Sequence, residues 1–313
     1  MNIGIDMMGG DFAPLEAVKG LQTYLSTSGS PAQLFCYGNE AQLTALLTEF
    51  SLTAPEIIIV HTPQEIDMHE HPTRAFKEKQ QSSIAVGFHQ LATGKIDAFL
   101  SAGNTGAMLV GALYSIKAIN GVQRPAIATI VPKTNGENGI LLDVGLNADC
   151  KPENLNQFAI LGSLYAKDIF DIPHPKVGLL NVGEEEGKGN ILAQATYQLL
   201  KDNNAINFVG NVEGRDVFSD KADVIVCEGF TGNVVLKMAE SLYGTAVERN
   251  IKDDFMLRFN YENYGGTPVL GVAKPVVIGH GISSAIAFSN MIKLAEKMVV
   301  SDICGDIVES FKS

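Results

Sequence analysis

The chain has 313 residues, 46% of them hydrophobic and 19% charged, with a formal net charge of −12. That composition supplies a large core and excludes a disordered chain, and the negative balance excludes a nucleic-acid binder, which needs clustered Lys and Arg for the phosphate backbone. Small anionic ligands remain open, because backbone N–H groups at helix N-termini bind phosphate whatever the net charge.

In chain order, short apolar runs predict strands at 2–5, 33–37, 56–60, 97–100, 126–131, 139–144, 176–182, 207–210, 222–227 and 275–279. Amphipathic stretches between them predict helices near 14–28, 40–50, 73–93, 104–119, 152–168, 189–202, 231–249 and 284–311. The alternation is that of an α/β protein with a mostly parallel sheet covered on both faces. No linker, low-complexity tract or strong repeat divides the chain, so the expectation is one α/β domain over 1–313, with two lobes around a cleft as the alternative. The four cysteines, at 36, 150, 227 and 304, form no Cys-x-x-Cys pair and read as reduced thiols of a cytosolic protein. The opening "MNIGID" has no signal-peptide character, and no run of 18 apolar residues occurs, so a cytoplasmic chain without a membrane span is expected.

Seven predicted strands are left through Gly, Asn, Asp or Glu: "DMMGGD" (6–11), "SAGNTG" (101–106), "DVGLN" (143–147), "NVGEEEGKGN" (181–190), "GNVEGR" (210–215), "EGFTGN" (228–233) and "GHGISS" (279–284). In an open α/β sheet ligands bind beyond the carboxyl ends of the strands. Gly103 and Gly106 permit close backbone approach, and Asn104 or Thr105 can cap the following helix. A βα turn needs a glycine and a cap in any case, but "GFTGN" at 229–233 repeats the arrangement, which favours a phosphate site.

Other signatures fail. "GEEEGKGN" departs from the Walker sequence in spacing and carries Gly189 where the hydroxyl belongs; no Gly-x-Gly-x-x-Gly stands in a predicted βα turn, and no Gly-x-Ser-x-Gly elbow occurs. ATP, NAD and a serine nucleophile are unsupported, and no cofactor or metal is expected. His69, Glu70 and His71 beside Asp67 read as a solvated loop in preference to a metal site. Arg74, Lys77 and Lys79 lie at helical spacing, as a solvated face or as a contact for an anionic ligand or acidic partner.

The chain resembles the bacterial phosphate acyltransferases of phospholipid synthesis. The matching stretches include "IDMMGGDFAP" (5–14), "PTRAFKEKQQSSI" (72–84), "SAGNTGAML" (101–109), "RPAIATIVP" (124–132), "LLDVGLNADCKPENLNQFAILGSLYA" (141–166), "VGLLNVGEEEGKGN" (177–190), "NFVGNVEGRDVF" (207–218), "ADVIVCEGFTGNVVLKMAE" (222–240), and "YGGTPVLGV" with "PVVIGHG" (264–281). They run in order over nearly the whole chain. The resemblance implies a three-layer α/β/α sandwich similar to phosphotransacetylases and the isocitrate and isopropylmalate dehydrogenases. It also implies a homodimer without cofactor, peripheral contact with the cytoplasmic membrane, and formation of acyl phosphate from acyl-acyl carrier protein and orthophosphate. Contact with the downstream glycerol-3-phosphate acyltransferase is a further expectation. One departure is a short 238–263 stretch, read as a shortened or incomplete form of the family's helical hairpin; another is Glu228, where the family often carries Asp.

Phosphate attack on a thioester needs position and charge more than a strong base. The expected donors are Asn104, Thr105 and the glycine amides of 101–106, with cationic help from Lys188, Arg215 or Lys79 and a further donor in His280. Asp6, Asp11 and Asp143 are expected to orient donors. The remaining substrate-site candidates are Gly9, Gly10, Ser101, Gly103, Gly106, Asn147, Asn181, Gly183, Glu184, Asn211, Glu213, Gly229, Thr231, Gly232 and Asn233. The 74–79 face, or Arg249, Lys252 and Arg258, would meet an acidic carrier protein. An acyl-CoA phosphotransacetylase, a decarboxylating dehydrogenase and a non-catalytic lipid-binding regulator are the competing readings.

Overall fold

The computed structural model describes residues 1–29 and 31–312. Its elements are β1 (Asn2–Asp6), α1 (Leu15–Thr27), β2 (Gln33–Gly38), α2 (Glu40–Glu49), β3 (Ile57–His61), α3 (Pro72–Glu78), α4 (Ser83–Ala92), β4 (Ala98–Ser101), α5 (Thr105–Gly111), β5 (Ala126–Pro132), β6 (Asn138–Leu142), α6 (Pro152–Phe170), β7 (Lys176–Asn181), α7 (Ile191–Lys201), β8 (Asn207–Glu213), β9 (Val224–Val226), α8 (Gly229–Glu248), α9 (Asp254–Leu257), β10 (Thr267–Leu270), β11 (Val276–Ile278), α10 (Ala285–Val300) and α11 (Ile303–Ser310). They form two compact units, Met1–Lys117 with Tyr261–Cys304, and Ala118–Asn260 with Gly305–Ser313.

In the first unit the strand order is β3-β2-β1-β4-β11-β10, parallel except where β10 meets β11. Every residue of β4 is buried, as a central parallel strand requires. Its core includes Tyr37, Phe88 and Phe99, packed edge to face. In the second unit the order is β5-β6-β9-β7-β8, with only β5 and β6 antiparallel. The α/β class with a mostly parallel sheet is therefore observed.

Local chemistry explains most helix starts. Asn39, Ser82, Asn104 and Asn190 each accept a hydrogen bond from the N3 backbone of the helix they cap, and Pro152 stands at the first position of α6. Three long predicted helices are divided. The 73–93 stretch breaks after Lys79, where Ser82 caps a new helix. The 104–119 stretch passes into a π-helical turn over Ala112–Ile116 and stops at Lys117, with φ of 69°. The 284–311 stretch is interrupted at Asp302, with φ of 52°. Hydrophobic periodicity continues through each break, which is why the sequence pattern does not show it. β10 goes unpredicted because Pro268 demotes a short run.

Over 238–263 the chain completes α8, turns at Asn250, forms the four-residue α9 and ends in a 3-10 turn at Tyr261–Asn263. Phe255 and Phe259 of this stretch pack edge to face with Phe218. Among the described residues, no helix is long and apolar enough to cross a membrane.

Candidate active site

In the first unit β1 and β4 are neighbours, and the chain leaves β1 towards β2 and β3 on the side away from β4. This is a topological switch point, the place where open α/β sheets bind ligands. Asp6 ends β1 and is 1% exposed. Its carboxylate accepts the Ser101 hydroxyl at 2.7 Å and the Met8 N–H at 3.0 Å, while the Ser101 oxygen accepts the Gly103 N–H at 2.8 Å. Burial pushes the Asp6 carboxyl above its ordinary pKa against the opposing hydrogen bonds from Ser83, Ser101 and Met8. A Cβ on Gly9 would stand 2.4 Å from Asp6 Oδ2 and 2.6 Å from the Gly103 nitrogen, so glycine alone lets the 6–11 and 101–106 turns meet. Gly10, at φ of 108°, carries the chain on to Asp11, whose N–H donates to the Gly281 carbonyl at 2.7 Å.

Asn104 is 5% exposed, and its side chain is committed within the protein. Oδ1 accepts the Ala107 N–H at 3.0 Å, and Nδ2 donates to the carbonyls of Asp67 at 3.0 Å, Met68 at 3.3 Å and Glu70 at 3.0 Å. A helix leaves its first four N–H groups without intrahelical partners. Here the Asn104 side chain satisfies that of Ala107, the Asn104 carbonyl accepts the first helical bond from Met108, and the N–H groups of Thr105 and Gly106 have no partner among the described residues. Thr105 is exposed. Of the donors expected at this turn, the Asn104 side chain is engaged within the protein, while the Thr105 and Gly106 N–H groups and the exposed Thr105 hydroxyl have no partner among the described residues.

Lys79 is committed as well. Its Nζ donates to the Glu65 carbonyl at 2.9 Å and pairs closely with Glu70, whose carboxyl this contact pulls below the usual range. His69 and His71 are exposed, and their segment is a turn, as the loop reading requires. The His280 ring lies against Tyr261 with centroids 5.0 Å apart.

In the second unit Asp143 follows β6 and is fully buried. Oδ1 accepts the N–H of Ile127 at 2.9 Å and of Leu146 at 3.3 Å; Oδ2 accepts the Asn147 N–H at 2.6 Å and Nδ2 at 2.9 Å. A Cβ on Gly232 would fall 1.9 Å from the Asp143 carbonyl, and one on Gly229 would fall 2.8 Å from that of Asn147. Asn233 Nδ2 donates to the Val144 carbonyl at 3.0 Å. Glu228 caps α8, its carboxylate accepting the N–H of Phe230 at 2.7 Å, that of Thr231 at 3.1 Å and the Thr231 hydroxyl. The start of α8, where Gly229, Thr231, Gly232 and Asn233 are substrate-site candidates, thus already carries the protein's own carboxylate.

At the ends of β7 and β8, Asn181 Nδ2 donates to Asn211 Oδ1 at 3.1 Å and to the Lys188 carbonyl, while Asn211 Nδ2 donates to the Glu185 carbonyl at 2.9 Å. This amide pair shapes the 182–189 loop that holds Gly183. Glu184, Glu213 and Asp216 bring carboxylate oxygens within 4.8 Å of one another. Protein cations already neutralise them: Lys221 reaches Glu184 at 2.7 Å and Asp216 at 3.1 Å, and Arg215 pairs with Glu213. Among the described residues, the Lys188 ammonium meets only a 4.0 Å contact with Glu185.

Two features went unread in the sequence. The fastening of the 67–70 carbonyls to Asn104 spans 34 to 37 positions and leaves no local signal. Lys133, 1% exposed, pairs with Asp223 at 2.7 Å and Asp220 at 3.0 Å; burial works to lower its pKa, and the two carboxylates outweigh it. Asp223 precedes β9, on the sheet edge away from the turns, so this pair belongs to the scaffold. Arg258, one of the cations expected to meet an acidic carrier, donates to the Lys133 carbonyl at 2.8 Å and to Asn138 Oδ1 at 2.8 Å.

The sequence pattern of the family described as "Fatty acid synthesis protein" matches residues 1–256. The chain belongs to this family. A phosphate acyltransferase of Dictyoglomus thermophilum is 44% identical over 328 residues, covering 99% of this chain and 97% of the relative. One from Aquifex aeolicus is 38% identical over 334 residues, covering 100% and 97%. Among solved structures, a phosphotransacetylase from Streptococcus pyogenes superimposes with a TM-score of 0.68 over 95% of this chain and 94% of that one, at 17% identity. That likeness concerns the fold, and it places this family member's α/β architecture beside that of the phosphotransacetylases.

Proposed function

We propose that this member of the family is a phosphate acyltransferase that moves a long acyl chain from acyl carrier protein to orthophosphate, yielding acyl phosphate and the free carrier thiol for phospholipid synthesis. The observation that carries the activity is the full-length likeness to relatives bearing that name. The N–H groups of Thr105 and Gly106, without a partner among the described residues and at the switch point of the first unit, support the 101–106 turn as the phosphate or oxyanion site.

Phosphate, with a second pKa of about 6 to 7, is already a substantial fraction dianion at neutral pH and needs no strong base. One of its oxygens attacks the thioester carbon; the C–O bond forms, the C–S bond breaks, and its electron pair leaves on sulfur. A thiol pKa of about 8.5 makes that thiolate a tolerable leaving group. Main-chain donors at the phosphate or the developing oxyanion stabilise the tetrahedral intermediate by about 3 kcal/mol each.

Direct attack is favoured over an acyl-enzyme by the state of the protein's own nucleophiles. Burial pushes Cys36 up to about 12, Cys150 to about 11 and Cys304 to about 12 and raises Cys227 well above its ordinary value, which disfavours the thiolate at all four. The Ser101 hydroxyl, which donates to Asp6, is fully buried.

Exposed Arg249 and Lys252 supply basic surface for an acidic carrier. Exposed Phe230, Val234 and Met238 along α8 supply apolar surface for the acyl chain or for peripheral membrane contact. A cytoplasmic homodimer that hands acyl phosphate to a glycerol-3-phosphate acyltransferase completes the proposal. Acyl-CoA is the competing donor.

The test is incubation with long-chain acyl-acyl carrier protein, with and without orthophosphate, trapping acyl phosphate with hydroxylamine. Phosphate-dependent hydroxamate that is absent with acetyl-CoA is the expected result. Product from acyl-CoA alone transfers the reading to the phosphotransacetylase type, and no product from folded protein leaves a binding role.

A further inference from the structure

We propose that Asn104 is a positioning residue: its side-chain amide fastens the 67–72 segment as a strap across the start of α5, and the strap sets the phosphate turn without any contact between Asn104 and substrate. The proposal rests on the phosphate-turn reading above and specifies how that turn is held.

Three attachments define the strap. The first is Asn104 Nδ2, which gathers the carbonyls of Asp67, Met68 and Glu70 at 3.0 to 3.3 Å. An amide nitrogen has two hydrogens, so three acceptors around it share donors; removing the group leaves the Met68 and Glu70 carbonyls without a partner among the described residues and the Asp67 carbonyl with the Glu70 N–H at 3.2 Å alone. The second is Lys79, which holds the Glu65 carbonyl and the Glu70 carboxylate from the far end of α3. The third is packing: a Cβ on Gly106 would lie 2.7 Å from Cβ and Cγ of Pro72. The Pro72 ring therefore rests on one of the two residues whose N–H groups are open, and the strap forms a wall of the turn. Within the strap, Glu70 accepts the Asp67 N–H at 2.9 Å and Asp67 accepts the His69 N–H at 2.8 Å, so its shape is set before it meets Asn104. Lys79 also neutralises Glu70, a carboxylate that would otherwise bring negative charge beside a phosphate.

Asn104 is simultaneously the N-cap of α5, and the experiment must separate the two roles. Asn104→Asp and Asn104→Ser both retain a good capping oxygen, but the first cannot donate to the carbonyls and the second is too short to reach them. The strap reading expects the phosphate KM to rise about tenfold in both, with kcat altered less than about threefold and the carrier-protein KM unchanged. Limited proteolysis should cut the 62–71 segment faster in both variants, and orthophosphate should slow the cut in the wild type. A phosphate KM within about twofold of wild type in folded Asn104→Ser overturns the proposal, as does an unchanged cleavage rate. Where the Asn104 variants fail to fold, Lys79→Met reads the same strap from its other end: a raised phosphate KM supports the proposal and an unchanged one overturns it. Thr105→Pro separates this proposal from the reading beneath it. If that variant leaves the phosphate KM unchanged, the phosphate-turn assignment itself fails; if it raises the KM while Asn104→Ser does not, the strap alone fails.

Discussion

The 101–106 and 228–233 turns look alike in sequence and differ in the chemistry they leave exposed. Each follows a parallel strand, carries the spacing Gly-x-x-Gly and opens a helix. At the first, a neutral amide caps the helix and two N–H groups stay without a partner among the described residues. At the second, the Glu228 carboxylate takes the N–H groups of Phe230 and Thr231 together with the Thr231 hydroxyl. A helix start that already holds an anion repels another. Glycine spacing thus allows close approach in both places, and the cap residue decides which turn has donors to spare.

The glycines of the two turns provide the sharpest way to break the comparison. Gly232→Ala drives a methyl to 1.9 Å from a main-chain oxygen, whereas Gly106→Ala meets the Pro72 ring at 2.7 Å. Gly232→Ala is expected to cost about 3 kcal/mol or more, and Gly106→Ala about 1 to 2 kcal/mol with a raised phosphate KM. Denaturant titration beside phosphate kinetics checks both, and equal losses would show that the two turns are equally tight. Asp143→Asn comes next. It replaces one oxygen of a buried carboxylate that accepts four donors, so a loss of about 2 to 3 kcal/mol is expected without a selective effect on phosphate.

Donor removal without distortion sharpens the contrast. Proline is favoured at the first helical position, so Thr105→Pro should keep the fold and raise the phosphate KM about tenfold. Glu228→Asn also keeps a cap and should leave that KM within about twofold. The reverse pattern would move phosphate to the second turn.

The smallest expected effect concerns how α10 is capped in the first unit, where the Glu16 carboxylate accepts the Ala285 N–H at 2.8 Å. The Lys19 hydrogen bond, opposed by desolvation and helped by Ala285, holds the Glu16 carboxyl below its ordinary range. The unfolded chain then binds the extra proton between the two pKa values, so this stabilisation is complete above the unfolded pKa of about 4.3 and fades as pH falls through the folded value. Glu16→Gln should lose about 0.5 to 1 kcal/mol at pH 7, and the gap should close on acidification. A gap that persists at pH 3 would assign the loss to packing.

Much of the molecule was legible in the chain because its determinants are local. Apolar runs such as "DAFL" and "GILLDV" marked buried strands, and the Asn, Asp, Glu and Gly that follow them marked the turns at the strand ends. The break at Ser82 was legible in principle as a capping serine inside "QQSSI", but continuous periodicity masked it. The residues offered as cationic and amide donors fared differently, since the availability of Lys79, Arg215 or Asn104 depends on partners that only folding supplies.

Taken alone, the sequence determined the α/β class, the strand-end turns and, through long matching motifs, the family, because these depend on residue type, period and short spacing. Tertiary structure decided which donors remain open. Asn104 meets carbonyls 34 to 37 positions away, and Asp143 meets Ile127 from 16 positions away. Hydrogen bonds saturate, so a polar group engaged by a distant partner is lost to a ligand, and no local pattern records that engagement.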